Sequence, residues 1–206
     1  MASGAACYIF GASPFIGAED VPDAREGDFI IAADGGLSRV RAFGLNPDLI
    51  CGDFDSLREP PEGAEILTLP CEKDETDMFR AVREGFERGY RCFYIYGGLG
   101  GRLDHTLANI QTLLWLSRRG ARGFLRADGE IVTIITNGQI DIAGHGMFSV
   151  LACCGEARGV SIAGAKYELN SAALSEDFPC GVSNEFTDNT ASIRVEDGSL
   201  VIVVSR

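Results

Sequence analysis

Apolar positions fall along this chain in two rhythms, and the change from one to the other comes near residue 127. In the first part, short apolar runs alternate with amphipathic segments. Ala6–Gly11, Asp28–Ala33, Asp48–Cys51, Glu65–Pro70 and Cys92–Gly97 predict strands. Between the last two, Met78, Phe79, Val82 and Phe86 recur at helical spacing. Asp74, with Asp77 three residues on, makes an acidic capping pattern that puts Asp77 in the first turn of that helix. A second helix is predicted from about Asp104, with Leu107, Ile110, Leu113 and Leu114 on one side and Gly120 as its stop. Strands that alternate with helices imply a mostly parallel α/β sheet.

Beyond about Arg126 the pattern has period two and no convincing helix. Glu130–Gly144 carries Asn-Gly at its centre and Ala191–Ser205 carries Asp-Gly, both hairpin signals. With Met147–Cys154 and Gly159–Leu169 between them, these segments predict a small antiparallel β-sandwich or barrel. The expected fold class is therefore α/β, with an N-terminal mostly parallel α/β sheet domain over 1–127 and a small antiparallel C-terminal β-sandwich over 128–206. The boundary falls at the Arg126–Glu130 turn.

Composition narrows the functions open to such a chain. Of 206 residues, 46% are hydrophobic and 23% charged, enough to bury a real core. Eighteen basic and thirty acidic residues leave a formal charge of -12, which repels nucleic acid and anionic membranes; neither is an expected partner. No apolar run is long enough to span a bilayer and the start lacks a basic leader region, so the expected location is the cytoplasm. Seven cysteines contain no Cys-x-x-Cys pair, which argues against a zinc site or a disulfide framework.

The chemistry gathers where the predicted strands end. Asp34, Gly35 and Gly36 follow the second strand, Asp53, Asp55 and Ser56 the third, and Lys73, Asp74, Thr76 and Asp77 the fourth. Four glycines (Gly97, Gly98, Gly100, Gly101) follow the fifth, with Arg102, Asp104 and His105 beside them. In open α/β sheets ligands bind outside the carboxyl ends of the strands, so all four loops point to one site. An Asp-rich turn alone is explained by capping. Carboxylates crowded from several loops repel one another, and a divalent cation resolves that conflict. Magnesium prefers hard oxygen ligands, which makes Asp53 and Asp55 its candidate ligands and Asp77 the third. The glycine loop matches neither a Walker A motif nor the dinucleotide fingerprint. It joins a strand to a helix, so its free amides and the helix's positive end could receive phosphate, with Arg102 as a fork-shaped donor.

Taken together, Ala33–Gly36 (ADGG), Pro47–Ser56 (PDLICGDFDS), Lys73–Asp77 (KDETD), Gly97–His105 (GGLGGRLDH), Gly164–Leu169 (GAKYEL) and Val182–Phe186 (VSNEF) resemble the thiamine pyrophosphokinase family. The motifs lie in the family's order across nearly the whole chain. The resemblance implies magnesium-dependent transfer of a pyrophosphoryl group from ATP to the hydroxyethyl oxygen of thiamine, giving thiamine diphosphate and AMP. It also implies a homodimer with active sites between subunits. Carried onto matching positions, Asp53, Asp55 and Asp77 would be metal-linked and catalytic, with Asp34 supporting them. Lys73, Asp74, Thr76, Gly98, Arg102, Asp104 and His105 would hold the nucleotide and its phosphates. Tyr167, Ser183 and Asn184 would face thiamine from the partner subunit. Tyr167 stands where some relatives carry tryptophan, and His105 where relatives vary.

Other residues read as structure. Trp115 on the leucine-rich helix is expected in the core, Cys153 and Cys154 as packing, and His145 in a turn. Gly11–Gly17 after the first strand could touch phosphate, and an ordinary strand-to-helix loop explains it equally well. Two rivals remain open at this level. A magnesium-dependent nucleotide phosphohydrolase would explain the Asp-x-Asp pair, though not the motifs of the β domain. A non-catalytic nucleotide or thiamine sensor would use the same loops without turnover.

Overall fold

A computed structural model of the chain describes residues 4–13, 22–52, 63–69, 74–127 and 129–205. They form two compact units, one of residues 1–112 with 123–128, the other of 113–122 with 129–206.

In the first unit the strands are β1 (Cys7–Phe10), β2 (Phe29–Ala33), β3 (Leu49–Gly52), β4 (Glu65–Thr68), β5 (Cys92–Tyr96) and β6 (Arg122–Ala127). They lie in the order β4-β3-β2-β1-β5-β6. β1 runs parallel to β2 and β5, β2 to β3, and β3 to β4. Parallel strands are covered on both faces, and β1 and β3 are accordingly buried at every residue, whereas edge strand β4 is mostly exposed. Because β1 to β5 are parallel, all five end on one edge of the sheet. The helices are α1 (Leu37–Ala42), α2 (Asp77–Glu87) and α3 (Leu103–Ser117), the last five residues of α3 being counted with the second unit. α2 buries Met78, Ala81, Val82 and Gly85. Gly85 permits the close approach, since a Cβ there would lie 2.8 Å from the Cys7 sulfur and 2.9 Å from the Phe93 ring.

Several local expectations are corrected. Thr76, not Asp74, caps α2: its hydroxyl accepts from the Phe79 amide at 3.1 Å, which leaves Asp77 in the first turn as expected. α3 turns Asn109, Thr112, Leu113 and Leu116 inward, one step round from the expected stripe, so Leu107 is 54% exposed. Trp115 is only half-buried, with the Arg119 guanidinium 4.1 Å above its ring. Cys154 is exposed rather than packed.

The second unit is antiparallel throughout: β7 (Glu130–Thr136), β8 (Gln139–Ala143), β9 (Met147–Ala163), β10 (Leu169–Leu174), β11 (Asn184–Glu185), β12 (Thr190–Arg194) and β13 (Asp197–Ser205). The first half of β9 pairs with β13, which pairs in turn with β7; its last residues pair with β12, which pairs with β8. One long strand thus belongs to both sheets. It bends where Cys154 (φ 58°) and Gly155 (φ 117°) take left-handed conformations.

Neither expected hairpin forms. β7 and β8 are joined by Asn137–Gly138 yet pair with β13 and β12 respectively, and β12 and β13 also pair apart. A type I′ hairpin turn needs positive φ at both central residues, and here Asn137 (φ 46°) has it and Gly138 does not; type II′, with positive φ at the first residue alone, wants glycine there. The two turns carry the chain between sheets and lie side by side. The Gly198 amide donates to Asn137 Oδ1 at 2.9 Å, and the Asn137 amide to the Gly198 carbonyl at 3.1 Å. Asn137→Ala loses that side-chain bond and puts a Cβ-bearing residue less suited to left-handed φ at the corner. It is expected to cost about 1–2 kcal/mol in urea unfolding, and an unchanged midpoint would contradict the corner's role.

Candidate active site

The loops after β1, β2 and β5 meet on the edge where the parallel strands end. Asp34 follows β2 with a left-handed backbone (φ 51°), rare for a residue with a Cβ and common at functional sites. Its carboxylate-bearing residue is exposed. The next residues, Gly35 and Gly36, complete a 3-10 turn before α1. Gly36 lies so close to β1 that any Cβ would collide with the Phe10 carbonyl. β3 ends beside Asp34, since a Cβ at Gly52 would stand 3.4 Å from the Asp34 Cα. Asp53, the residue that follows in sequence, lies outside the described residues, as do Asp55, Ser56 and Lys73.

Asp77 is half-buried in the first turn of α2, with Thr76 as its cap and Asp74 exposed before it. An acid in a helix's first turn is stabilised by the positive end of the helix dipole. Among the described residues no group of three His, Cys, Asp or Glu side chains could hold a metal. Of the three acids expected to hold magnesium, Asp77 alone lies among the described residues; a carboxylate is the hard oxygen donor that magnesium accepts, and the fit of the set rests on Asp53 and Asp55.

The glycine loop is held from below. The Ser13 amide donates to the Gly97 carbonyl at 3.2 Å, the Ser13 hydroxyl to the Leu99 carbonyl at 2.6 Å, and Asn109 Nδ2 to the Gly98 carbonyl at 2.7 Å. Gly98 is buried, and a Cβ there would press to 2.8 Å from Leu125 and 3.2 Å from Asn109. α3 starts just beyond. Arg102 donates to both oxygens of Asp104, at 3.1 and 2.6 Å, and both side chains are largely exposed. That guanidinium holds the Asp104 carboxyl below the usual carboxylate range, and Asp104 raises the arginine in return. Asp104 also accepts from the His105 amide at 2.9 Å, and His105 itself is exposed. Across the β1 loop, Arg39 of α1 donates to the Ala12 carbonyl at 3.1 Å. Ser13, Arg39 and Asn109 escaped the reading of the sequence. A polar residue on the inward face of a helix was the available signal for Asn109.

In the second unit, Tyr167, Ser183 and Asn184 come together at the start of β9. Asn184 is 6% exposed, and its amide clamps the tyrosine backbone from both sides. Oδ1 accepts from the Tyr167 amide at 3.0 Å and Nδ2 donates to the Tyr167 carbonyl at 2.8 Å. Oδ1 also accepts from the Glu185 amide, which occupies most of this side chain's hydrogen-bonding capacity. The tyrosine itself is 61% exposed, with the Lys166 ammonium 5.6 Å from its ring centroid. Lys166 pairs with Glu185 at 2.8 Å, which raises the lysine's pKa. Ser183 has a left-handed backbone (φ 61°) and is tied to β9 by its amide, which donates to the Ser149 hydroxyl at 3.1 Å.

Two family models match the chain. "Thiamin pyrophosphokinase, catalytic domain" covers residues 24–125, and "Thiamin pyrophosphokinase, vitamin B1 binding domain" covers 138–200. Thiamin pyrophosphokinase 1 of Caenorhabditis elegans is 25% identical over 188 residues, covering 84% of this chain and 76% of that one. Thiamine pyrophosphokinase of Bacillus subtilis is 26% identical over 184 residues, covering 85% and 86%. A crystal structure of thiamine pyrophosphokinase from Bacillus subtilis superposes with a TM-score of 0.86 over 97% of this chain and 98% of that one, at 24% identity, a likeness of fold.

Proposed function

This chain belongs to the thiamin pyrophosphokinase family, and from that premise we propose that it transfers a pyrophosphoryl group from ATP to the hydroxyethyl oxygen of thiamine, releasing AMP. The observation that carries this reading is the convergence of Asp34 and the glycine loop of Gly97–Gly101 on the carboxyl edge of one parallel sheet, with Asp77 at the start of α2.

Transfer of a phosphoryl-type group asks for in-line positioning and neutralisation of charge more than for covalent help. In this reading the glycine-loop amides and the positive end of α3 receive the phosphates, and Arg102 turns from Asp104 towards them. Lys73, Asp74, Thr76, Gly98, Asp104 and His105 complete the nucleotide side. Magnesium, when bound by Asp53, Asp55 and Asp77, would neutralise the polyphosphate. Asp34 stands beside that set, and an aspartate of the cluster accepts the alcohol's proton as the new P–O bond forms. No strong base is required, because in a loose transition state the alcohol oxygen bonds the β-phosphorus late, as that phosphorus parts from the α-phosphate oxygen that leaves with AMP.

Thiamine carries a permanent positive charge, which suits an acidic chain and an aromatic face. Tyr167 offers that face, Asn184 holds it by its backbone, and Ser183 lies alongside. The working form in this reading is a cytoplasmic homodimer whose sites join subunits. Tyr167→Ala is expected to raise the KM for thiamine about tenfold with a smaller change in kcat; an unchanged KM would count against the stacking role.

The direct test is incubation with ATP and magnesium, with and without thiamine. AMP that forms only with thiamine supports the transferase. AMP or ADP formed equally without it favours a nucleotide phosphohydrolase, and tight binding of both ligands without product favours a sensor.

A further inference from the structure

Three successive carbonyls of the glycine loop are taken by donors from outside it. Gly97 receives the Ser13 amide, Gly98 the Asn109 side chain and Leu99 the Ser13 hydroxyl. None of these peptides is cis. In a planar trans peptide the carbonyl and the following amide N–H point in opposite directions. Fixing the three carbonyls therefore fixes the N–H groups of Gly98, Leu99 and Gly100, with those of Gly98 and Gly100 directed away from Ser13.

Such anchoring matters in a loop of this composition. Four glycines in five residues leave the free chain a wide choice of φ and ψ, and Gly97, Gly100 and Gly101 all adopt positive φ. A peptide plane here could flip and present a carbonyl where an anion needs a donor. Ser13 and Asn109 act from opposite sides in the sequence, one from the loop after β1 and one from the second turn of α3. Asn109 is 5% exposed, so its bond to Gly98 is made away from water. The Ser13 loop is itself held, because Arg39 donates to the preceding carbonyl, Ala12, and the Gly11 amide donates to Tyr96.

We propose that Ser13 and Asn109 are positioning residues that set the glycine loop's amides for the polyphosphate, with Arg39 steadying the Ser13 loop from α1. The inference rests on the reading of the glycine loop as the phosphate receiver. It assigns a purpose to the β1 loop, which the sequence leaves equally open as a phosphate contact or a plain connection, and to the one asparagine on the inward face of α3. Loss of an orienting bond lets the peptide sample both orientations, so ATP binding and transfer weaken while thiamine, held by another part of the chain, is bound as before.

The test compares Ser13→Ala, Ser13→Thr and Asn109→Asp with the parent chain. Calorimetric titration with ATP and magnesium is read beside steady-state kinetics, and thermal unfolding reports the fold. Ser13→Ala is expected to weaken ATP binding and raise its KM about three- to tenfold, with the KM for thiamine unchanged. Ser13→Thr keeps the hydroxyl and is expected to restore both. Asn109→Asp sets a carboxylate against the Gly98 carbonyl and is expected to weaken ATP at least as much; should it fail to fold, the serine pair decides alone. ATP binding in Ser13→Ala equal to the parent's, or an equal loss in Ser13→Ala and Ser13→Thr, overturns the inference. A parent that binds ATP but forms no thiamine diphosphate sinks the transferase reading alone, since the titrations still report the loop. A parent that binds no ATP overturns both.

Discussion

Asp77→Asn is expected to lower turnover about a thousandfold while the protein remains folded. The substitution is nearly isosteric, so it removes the charge and one oxygen acceptor without emptying the site. The fold should hold because the cap of α2 belongs to Thr76, whose bond to the Phe79 amide is untouched, and because the buried face of α2 is made by Met78, Ala81, Val82 and Gly85. A loss of the helix-dipole contribution costs only about 0.3–1 kcal/mol. Steady-state rates at saturating ATP, magnesium and thiamine, with circular dichroism to verify the helix, make the comparison. Activity within about tenfold of the parent would remove Asp77 from the metal and catalytic set.

Gly36→Ala is expected to be the most damaging small change in the first unit. The added methyl would run into the Phe10 carbonyl oxygen and lie 2.5 Å from its carbon, and both are backbone atoms of a fully buried strand. A flexible side chain could swing aside; β1, hydrogen-bonded on both sides to β2 and β5, cannot. The turn carrying Asp34 would have to move instead, so stability and activity should fall together. Overpacking of this kind costs about 3 kcal/mol or more. Urea unfolding reads the first loss, and turnover of the protein that remains folded reads the second. A midpoint like the parent's would mean that the turn has slack between β1 and α1.

The contrast between those two sites explains what the chain made legible. Parallel strands are short, apolar on both faces and followed by Gly or Asp, so β1, β2, β3 and β5 and the loops after them could be placed from local pattern. β6 was missed because Arg122 and Arg126 interrupt its apolar run; in the structure Arg122 is exposed, and half-buried Arg126 sets its guanidinium 5.4 Å from the Tyr94 ring centroid, so an aromatic face receives the charge. Asn-Gly correctly marked the bend after β7, whereas Asp197–Gly198 already belongs to β13 and the chain breaks after β12 at Val195–Glu196. Neither dipeptide says which strand lies opposite, and the sandwich decided that by pairing β7 with β13 and β8 with β12. On α3 the apolar residues go round too much of the helix for spacing to select a face. Asn109 turns inward because the Gly98 carbonyl receives it, a partner that spacing cannot reveal.

At the candidate site the same division holds. Asp34, Arg102 and the glycines announced themselves by following strands. Asn184 could be picked out only by family likeness, and its bonds to Tyr167, seventeen residues earlier, give it a holding role that no local pattern contains. Arg102 shows the reverse: the sequence offers a free donor, and the structure pairs it with Asp104 at 2.6 Å. A partner so exposed is held weakly and can be exchanged for phosphate at little cost.

The central claim is that two phosphorus atoms leave ATP together and arrive together on thiamine. Phosphorus NMR of a single reaction mixture containing ATP, magnesium, thiamine and the protein follows every phosphorus at once. The account predicts that the β and γ resonances of ATP decline in step as the two resonances of thiamine diphosphate and the single resonance of AMP rise. Thiamine monophosphate with ADP, or AMP with free pyrophosphate and no phosphorylated thiamine, would contradict it.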